Sequence, residues 1–230
     1  MSFEYIEKNV AEIRRRIDAA TAAAGRTESP LLVPAVKYAE PEEIEFLCKE
    51  LGIRQVGENR VQQMLSHMEA IDCSEIEFHF IGTLQTNKVK YIIDKVKMIH
   101  SVDSLKLAAE IDKQAQKHGL VMDVLVEINS GAEESKSGIL IEEAEALCLA
   151  LKDYPNVRLR GFMTMAPKCD KKEDYLKYFG QTYANVLDIW TKKLHNIDRP
   201  LMSMGMSDSF EEAIACGSDI VRVGRSLFVK

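Results

Sequence analysis

Four features of this chain could do chemistry together: a lysine at the end of an aliphatic run, two glycine-bearing loops near the carboxyl terminus, and an arginine inside the second loop. Lys37 closes Leu31-Leu32-Val33-Pro34-Ala35-Val36-Lys37, and five of the first six residues there are aliphatic. Such a run predicts a short strand buried on both faces. Its lysine then stands at the carboxyl tip, on the rim where parallel α/β folds meet small molecules. Ser203-Met204-Gly205-Met206-Ser207-Asp208 follows another predicted strand and opens a helix, offering a hydroxyl and backbone N–H groups at a positive helix end. Val221-Arg222-Val223-Gly224-Arg225-Ser226 closes the last predicted strand, and Gly224 lets an oxyanion come close to the backbone. Taken singly, the lysine is a solvated surface charge and Gly205 and Gly224 relieve turn strain. Taken together, the two loops predict a phosphorylated ligand.

A phosphate at the last two strands and an amine at the first would span the width of a pyridoxal phosphate molecule. Lys37 would hold the aldehyde as a Schiff base, a step that needs the amine without its proton. Arg222 lies two residues before Gly224, so strand alternation points it into the same mouth, towards the pyridine nitrogen. A permanently protonated guanidinium donates to that nitrogen and leaves it without a proton of its own, so the ring becomes a poor electron sink.

These residues need a scaffold that brings strand ends to one face. Apolar runs predict eight strands, near 31–36, 53–56, 77–81, 97–100, 121–128, 157–162, 200–202 and 219–223. Helices are predicted between them at 41–51, from 60, 82–93, 105–118, 141–151, 171–194 and 208–216. Strict alternation with short loops is the pattern of a closed (β/α)₈ TIM barrel. An extra leading helix over 2–24 carries Ile6, Val10, Ile13 and Ile17 at helical spacing, with Arg14-Arg15-Arg16 as its solvated face. His79 falls inside a strand and reads as a buried, hydrogen-bonded residue. Asn59, just past a strand end, is either a helix N-cap or a ligand contact.

Composition excludes several classes. The 230 residues suit a single domain over 1–230, with 46% hydrophobic and 29% charged residues. A net charge of −6 argues against nucleic acid as a partner. The five cysteines are scattered, with no CxxC pair, as in a reduced cytoplasmic protein without a zinc or disulfide framework. The first residues carry early acids and form no secretory signal, and no apolar run is long enough to cross a membrane.

The segments Ala35-Val36-Lys37, Val56-Gly57-Glu58-Asn59, His79-Phe80-Ile81-Gly82-Thr83-Leu84-Gln85-Thr86-Asn87-Lys88, Glu134-Ser135-Lys136-Ser137-Gly138, Leu159-Arg160-Gly161-Phe162-Met163-Thr164-Met165-Ala166-Pro167 and Ser203-Met204-Gly205-Met206-Ser207-Asp208 carry a family resemblance. In this order they resemble the pyridoxal phosphate homeostasis proteins, single-domain relatives of the amino-terminal barrel of alanine racemase. The resemblance implies a barrel that binds pyridoxal 5'-phosphate through Lys37, with no established catalysis and a role in vitamin B6 homeostasis and in amino-acid and keto-acid metabolism. It implies Arg222 at the pyridine nitrogen, and Ser207, Gly224 and the backbone of Met206 and Arg225 at the phosphate. It also implies Asn59, Ile81 and Met163 along the ring. Arg225 departs from the pattern, because the family commonly has a small hydroxyl residue there. The partners expected are the cofactor and apo-enzymes that use it, with the protein itself a monomer.

Two catalytic readings compete. A racemase of the alanine racemase type needs a second acid/base across the cofactor, and Tyr38 is the residue to try. A lysine aldolase needs an acid partner for Lys37, and the sequence offers none at another strand end.

Overall fold

The computed structural model describes residues 3–131, 137–192 and 199–230. Eight parallel strands form one sheet: β1 (Leu31–Pro34), β2 (Gln55–Glu58), β3 (Glu77–Phe80), β4 (Val96–Val102), β5 (Met122–Ile128), β6 (Val157–Thr164), β7 (Leu201–Ser203) and β8 (Ile220–Val223). The order β1-β8-β7-β6-β5-β4-β3-β2 curls the sheet round, so that its two ends meet. Only a bridge between Ala35 and Gly57 joins β1 to β2, with the Val36 N–H donating to the Gly57 carbonyl at 3.0 Å. The expected TIM barrel is therefore present, nearly closed.

Strand β5 is buried at every position, as a strand covered on both faces must be. Strand β1 is less enclosed than its sequence predicts: Leu31 is exposed, while Val33 and Pro34 are buried.

Helix α1 (Glu4–Ala23) precedes the barrel and buries Ile6, Val10, Ile13 and Ile17, the four positions its spacing predicts. They pack with Phe210 and Leu227 from the last part of the chain. Its arginines are structural. Arg14 donates to the Leu51 carbonyl at 3.0 Å, Arg15 pairs with Glu12, and Arg16 pairs with Glu211 while lying over the Phe210 ring. The outer layer continues with α2 (Pro41–Lys49), α3 (Val61–Ala70), α4 (Leu105–Lys117), α5 (Ile141–Ala150), α6 (Lys172–Thr191), α7 (Phe210–Ala215) and the short α8 (Arg225–Phe228). No described helix is long and apolar enough to cross a membrane.

Two expectations are corrected. The helix expected over 82–93 is a 3-10 segment, Thr86–Tyr91, preceded by an irregular stretch from Ile81 to Gln85. Its anchors Leu84, Val89, Ile92 and Ile93 are buried against the core, and a segment this short is held by such packing rather than by helical propensity. The helix expected to reach residue 194 ends at Thr191, and residues 193–198 lie outside the described ones. The motif Glu134-Ser135-Lys136 likewise lies outside them, while Ser137 donates to Glu127 at 2.6 Å.

Candidate functional site

At the carboxyl ends of the strands a cavity of about 300 Å³ opens. Lys37 and Ala35 reach it from the end of β1, Asn59 from β2, Ile81 from β3, and Arg222 and Gly224 from β8. Met206, Ser207, Asp208 and Arg225 complete its other side. The chain's two ends thus meet in one space, as β1 pairing with β8 demands.

Lys37 is exposed, and its Nζ lies 4.7 Å from the centre of the Tyr38 ring. Its carbonyl accepts from Gln63 Nε2 at 2.8 Å, which fixes the backbone while leaving the amine free to move. Tyr38 is 70% exposed, so it lies over the mouth and is not packed into the rim.

Arg222 is only 4% exposed and its guanidinium is held from two sides. Nη1 donates to Ser203 Oγ at 2.6 Å and Nη2 to the Thr164 carbonyl at 3.0 Å. Burial pushes its pKa down to about 10, against the pull of the Glu127 carboxylate, so it stays charged at neutral pH. Glu127 is itself raised, chiefly by burial.

Behind Arg222 runs a buried polar chain across the barrel interior. Ser203 Oγ lies 3.1 Å from His100 Nδ1, and His100 Nε2 lies 2.9 Å from His79 Nδ1. Arginine has no acceptor, so Ser203 accepts from it and has a proton to give to His100. The neutral assignment that satisfies each contact puts the His100 proton on Nε2, donated to His79. Burial keeps both rings neutral, lowering His79 to about 4 and His100 well below its ordinary value. His79 is the buried, bonded histidine its position predicts. Ser203→Ala leaves Nη1 of Arg222 and Nδ1 of His100 without their partner, and urea unfolding is expected to show a loss of about 2–4 kcal/mol.

The two glycine loops touch. The Ser226 N–H points to Ser207 Oγ at 3.5 Å, which leaves the Ser207 proton available for a ligand. Gly205 has φ +90, and a Cβ there would meet Phe210 Cα at 2.8 Å, so turn geometry and packing on α7 require it. A Cβ on Gly224 would lie 2.9 Å from the Ala35 carbonyl oxygen, so this glycine also lets β8 end against β1. The Met206 N–H already donates to Ser209 Oγ at 3.2 Å. Arg225 pairs with Asp208, both more than half exposed.

Of the residues expected along a ring, Ile81 and Asn59 line the cavity and Met163 does not. Met163 is fully buried one layer deeper, packed with Met98 and Leu125, and Met165 takes the position at the mouth. Asn59 is not a cap. Arg60 is the N-cap of α3, and Asn59 Oδ1 is buried with no hydrogen-bond partner. Its neighbour Glu58 faces outward and pins α3 through His67 Nδ1 at 2.6 Å.

Residues 6–230 match the family described as alanine racemase, N-terminal domain. A pyridoxal phosphate homeostasis protein of Aquifex aeolicus is 42% identical, with 96% of each chain covered. The chain belongs to the pyridoxal phosphate homeostasis protein family. Another member, from Escherichia coli, is 33% identical over 97% of this chain and 95% of its own. PipY of Synechococcus elongatus, a structure with PLP bound, superposes with a TM-score of 0.83 at 25% identity, covering 97% of this chain and 100% of that one. The chain carries eight parallel strands with their carboxyl ends around one mouth.

Proposed function

We propose that this protein binds pyridoxal 5'-phosphate in the cavity at the strand ends and serves the intracellular balance of that cofactor. One observation carries the reading: Lys37, Arg222 and the paired loops of Ser207 and Gly224 line a single cavity. The donor set suits the group, with an amine at one side, a serine hydroxyl and a short helix start at the other, and a buried guanidinium below. The buried, unpartnered Asn59 Oδ1 is a further sign of a polar ligand, because native structures seldom leave such an atom unsatisfied. A homologous structure of similar shape has PLP bound, and the curated relatives carry the homeostasis name.

When bound, the cofactor supplies an aldehyde that condenses reversibly with an amine. Lys37, on an exposed strand tip, provides that amine. Arg222 can donate but not accept, and Ser203 and Thr164 hold it so that no proton is delivered to the pyridine nitrogen. That arrangement favours holding the cofactor over withdrawing electrons into its ring. Ser207 and the first N–H groups of α8 face the phosphate, while Tyr38 shields the amine side of the mouth. Apo-enzymes needing the cofactor are the receiving partners, and the protein works as a cytoplasmic monomer. Titration with PLP is expected to turn the protein yellow at one equivalent per chain. Lys37→Ala is expected to abolish the new absorbance while the melting temperature stays within a few degrees of the parent. A colourless parent protein would refute the reading.

A further inference from the structure

A second cavity, of about 230 Å³, lies beside the first and shares Asn59 with it. It sits between the start of α3 and the irregular stretch after β3, and it is lined by the two sequence motifs that the cofactor reading leaves largely unused. Arg60, Gln62, Thr83, Gln85 and Lys88 form its polar wall, over a floor of buried Val61 and Phe80. With the shared Asn59, the lining therefore carries two cations, three amides and a hydroxyl, and no carboxylate. Among the described residues, neither Arg60 nor Lys88 is placed in an ion pair; the one contact of Lys88 Nζ is with the Tyr91 ring at 5.8 Å. Helix α3 begins here with an extended Arg60 whose side chain makes no cap, so the first N–H groups of the helix are not satisfied by it. The buried, unpartnered Oδ1 of Asn59 belongs to the residue between the two cavities.

From this lining we infer a second ligand site that binds a small oxyanion, a phosphate or a carboxylate. Two cations with amide and hydroxyl donors around an apolar floor, and no lining carboxylate to oppose them, attract such a group. The volume suits a single oxyanion group on a short carbon chain and is below the range of pockets for larger ligands. A donor near the oxyanion would find Asn59 Oδ1 as its acceptor. Because Asn59 also lines the first cavity, occupation of either space changes the wall of the other. The inference does not depend on which molecule fills the first cavity.

The test is calorimetric titration with inorganic phosphate, and separately with lactate. It uses protein whose first cavity has been filled with PLP and fixed by borohydride, alongside untreated protein carrying Ser207→Ala. One anion per chain is expected in both. The affinity should fall at least tenfold in Arg60→Gln/Lys88→Gln, whose exposed or half-exposed side chains leave the fold intact by circular dichroism. The two titrants separate phosphate from carboxylate ligands. No saturable uptake of either anion, or uptake that ignores Arg60→Gln/Lys88→Gln, overturns the site. Failure of the protein to take up PLP is read separately in the absorbance and leaves the Ser207→Ala arm to decide.

Discussion

Replacing Arg222 with alanine is expected to lower the stability of the apo-protein by about 3–5 kcal/mol, because one side of a buried charged network disappears. The guanidinium is almost wholly enclosed and satisfies both Ser203 and the Thr164 carbonyl. Without it, Glu127 loses the positive charge that favours its ionised form and keeps only the Ser137 hydrogen bond against burial. Urea unfolding of the two proteins measures the difference. A loss under about 1 kcal/mol would mean that water or a neighbour replaces the guanidinium, and that the network does not hold it in place. If Arg222 meets the pyridine nitrogen as proposed, a variant that survives folding should also bind PLP with altered absorbance.

Acidification from pH 7 to pH 5 is expected to cost the apo-protein about 2 kcal/mol from His79, with His100 adding to the loss in the same direction. Burial holds His79 near 4 and His100 well below its ordinary value, whereas in the unfolded chain both titrate near 6.5. Between those values the unfolded state binds more protons than the folded one, so stability falls as the pH falls. Above about pH 6.5 both states hold neutral rings and the contribution vanishes. Each pH unit below that costs about 1.4 kcal/mol for His79 until its folded value is reached. Glu127 opposes this, because burial raises its pKa and the folded protein takes up that proton first. The net loss should lower the melting temperature by several degrees. His79→Gln, which cannot titrate, should flatten the slope between pH 6.5 and 5. An unchanged slope in that variant would place the acid sensitivity elsewhere.

Much of this architecture is legible in the chain, for local reasons. The 3.6-residue spacing of Ile6, Val10, Ile13 and Ile17 states both the helix and its buried face, and the apolar run into Ile128 can only be a covered strand. Lys37, Arg222 and Ser207 are legible as a set because a barrel of alternating units brings its first strand beside its last. Depth along a strand is not legible. Met163 and Met165 share a face by alternation, yet only the second reaches the mouth, because β6 runs to Thr164 and carries the earlier residue into the interior. The contact between His100 and Ser203 is not legible for a related reason. They stand 103 positions apart, and only closure of the barrel turns two inward residues into one polar chain. Asn59 remained undecided between cap and ligand contact, since a polar residue between strand and helix suits both; the backbone placed Arg60 at the cap.

The most direct measurement is borohydride reduction of the PLP-loaded protein followed by peptide mapping. A single pyridoxyl group on Lys37 is the expected result, with none in Lys37→Ala. A label on any other lysine, or a cofactor that washes away after reduction, would contradict the claim that the first strand's amine and the last strand's loop serve one ligand.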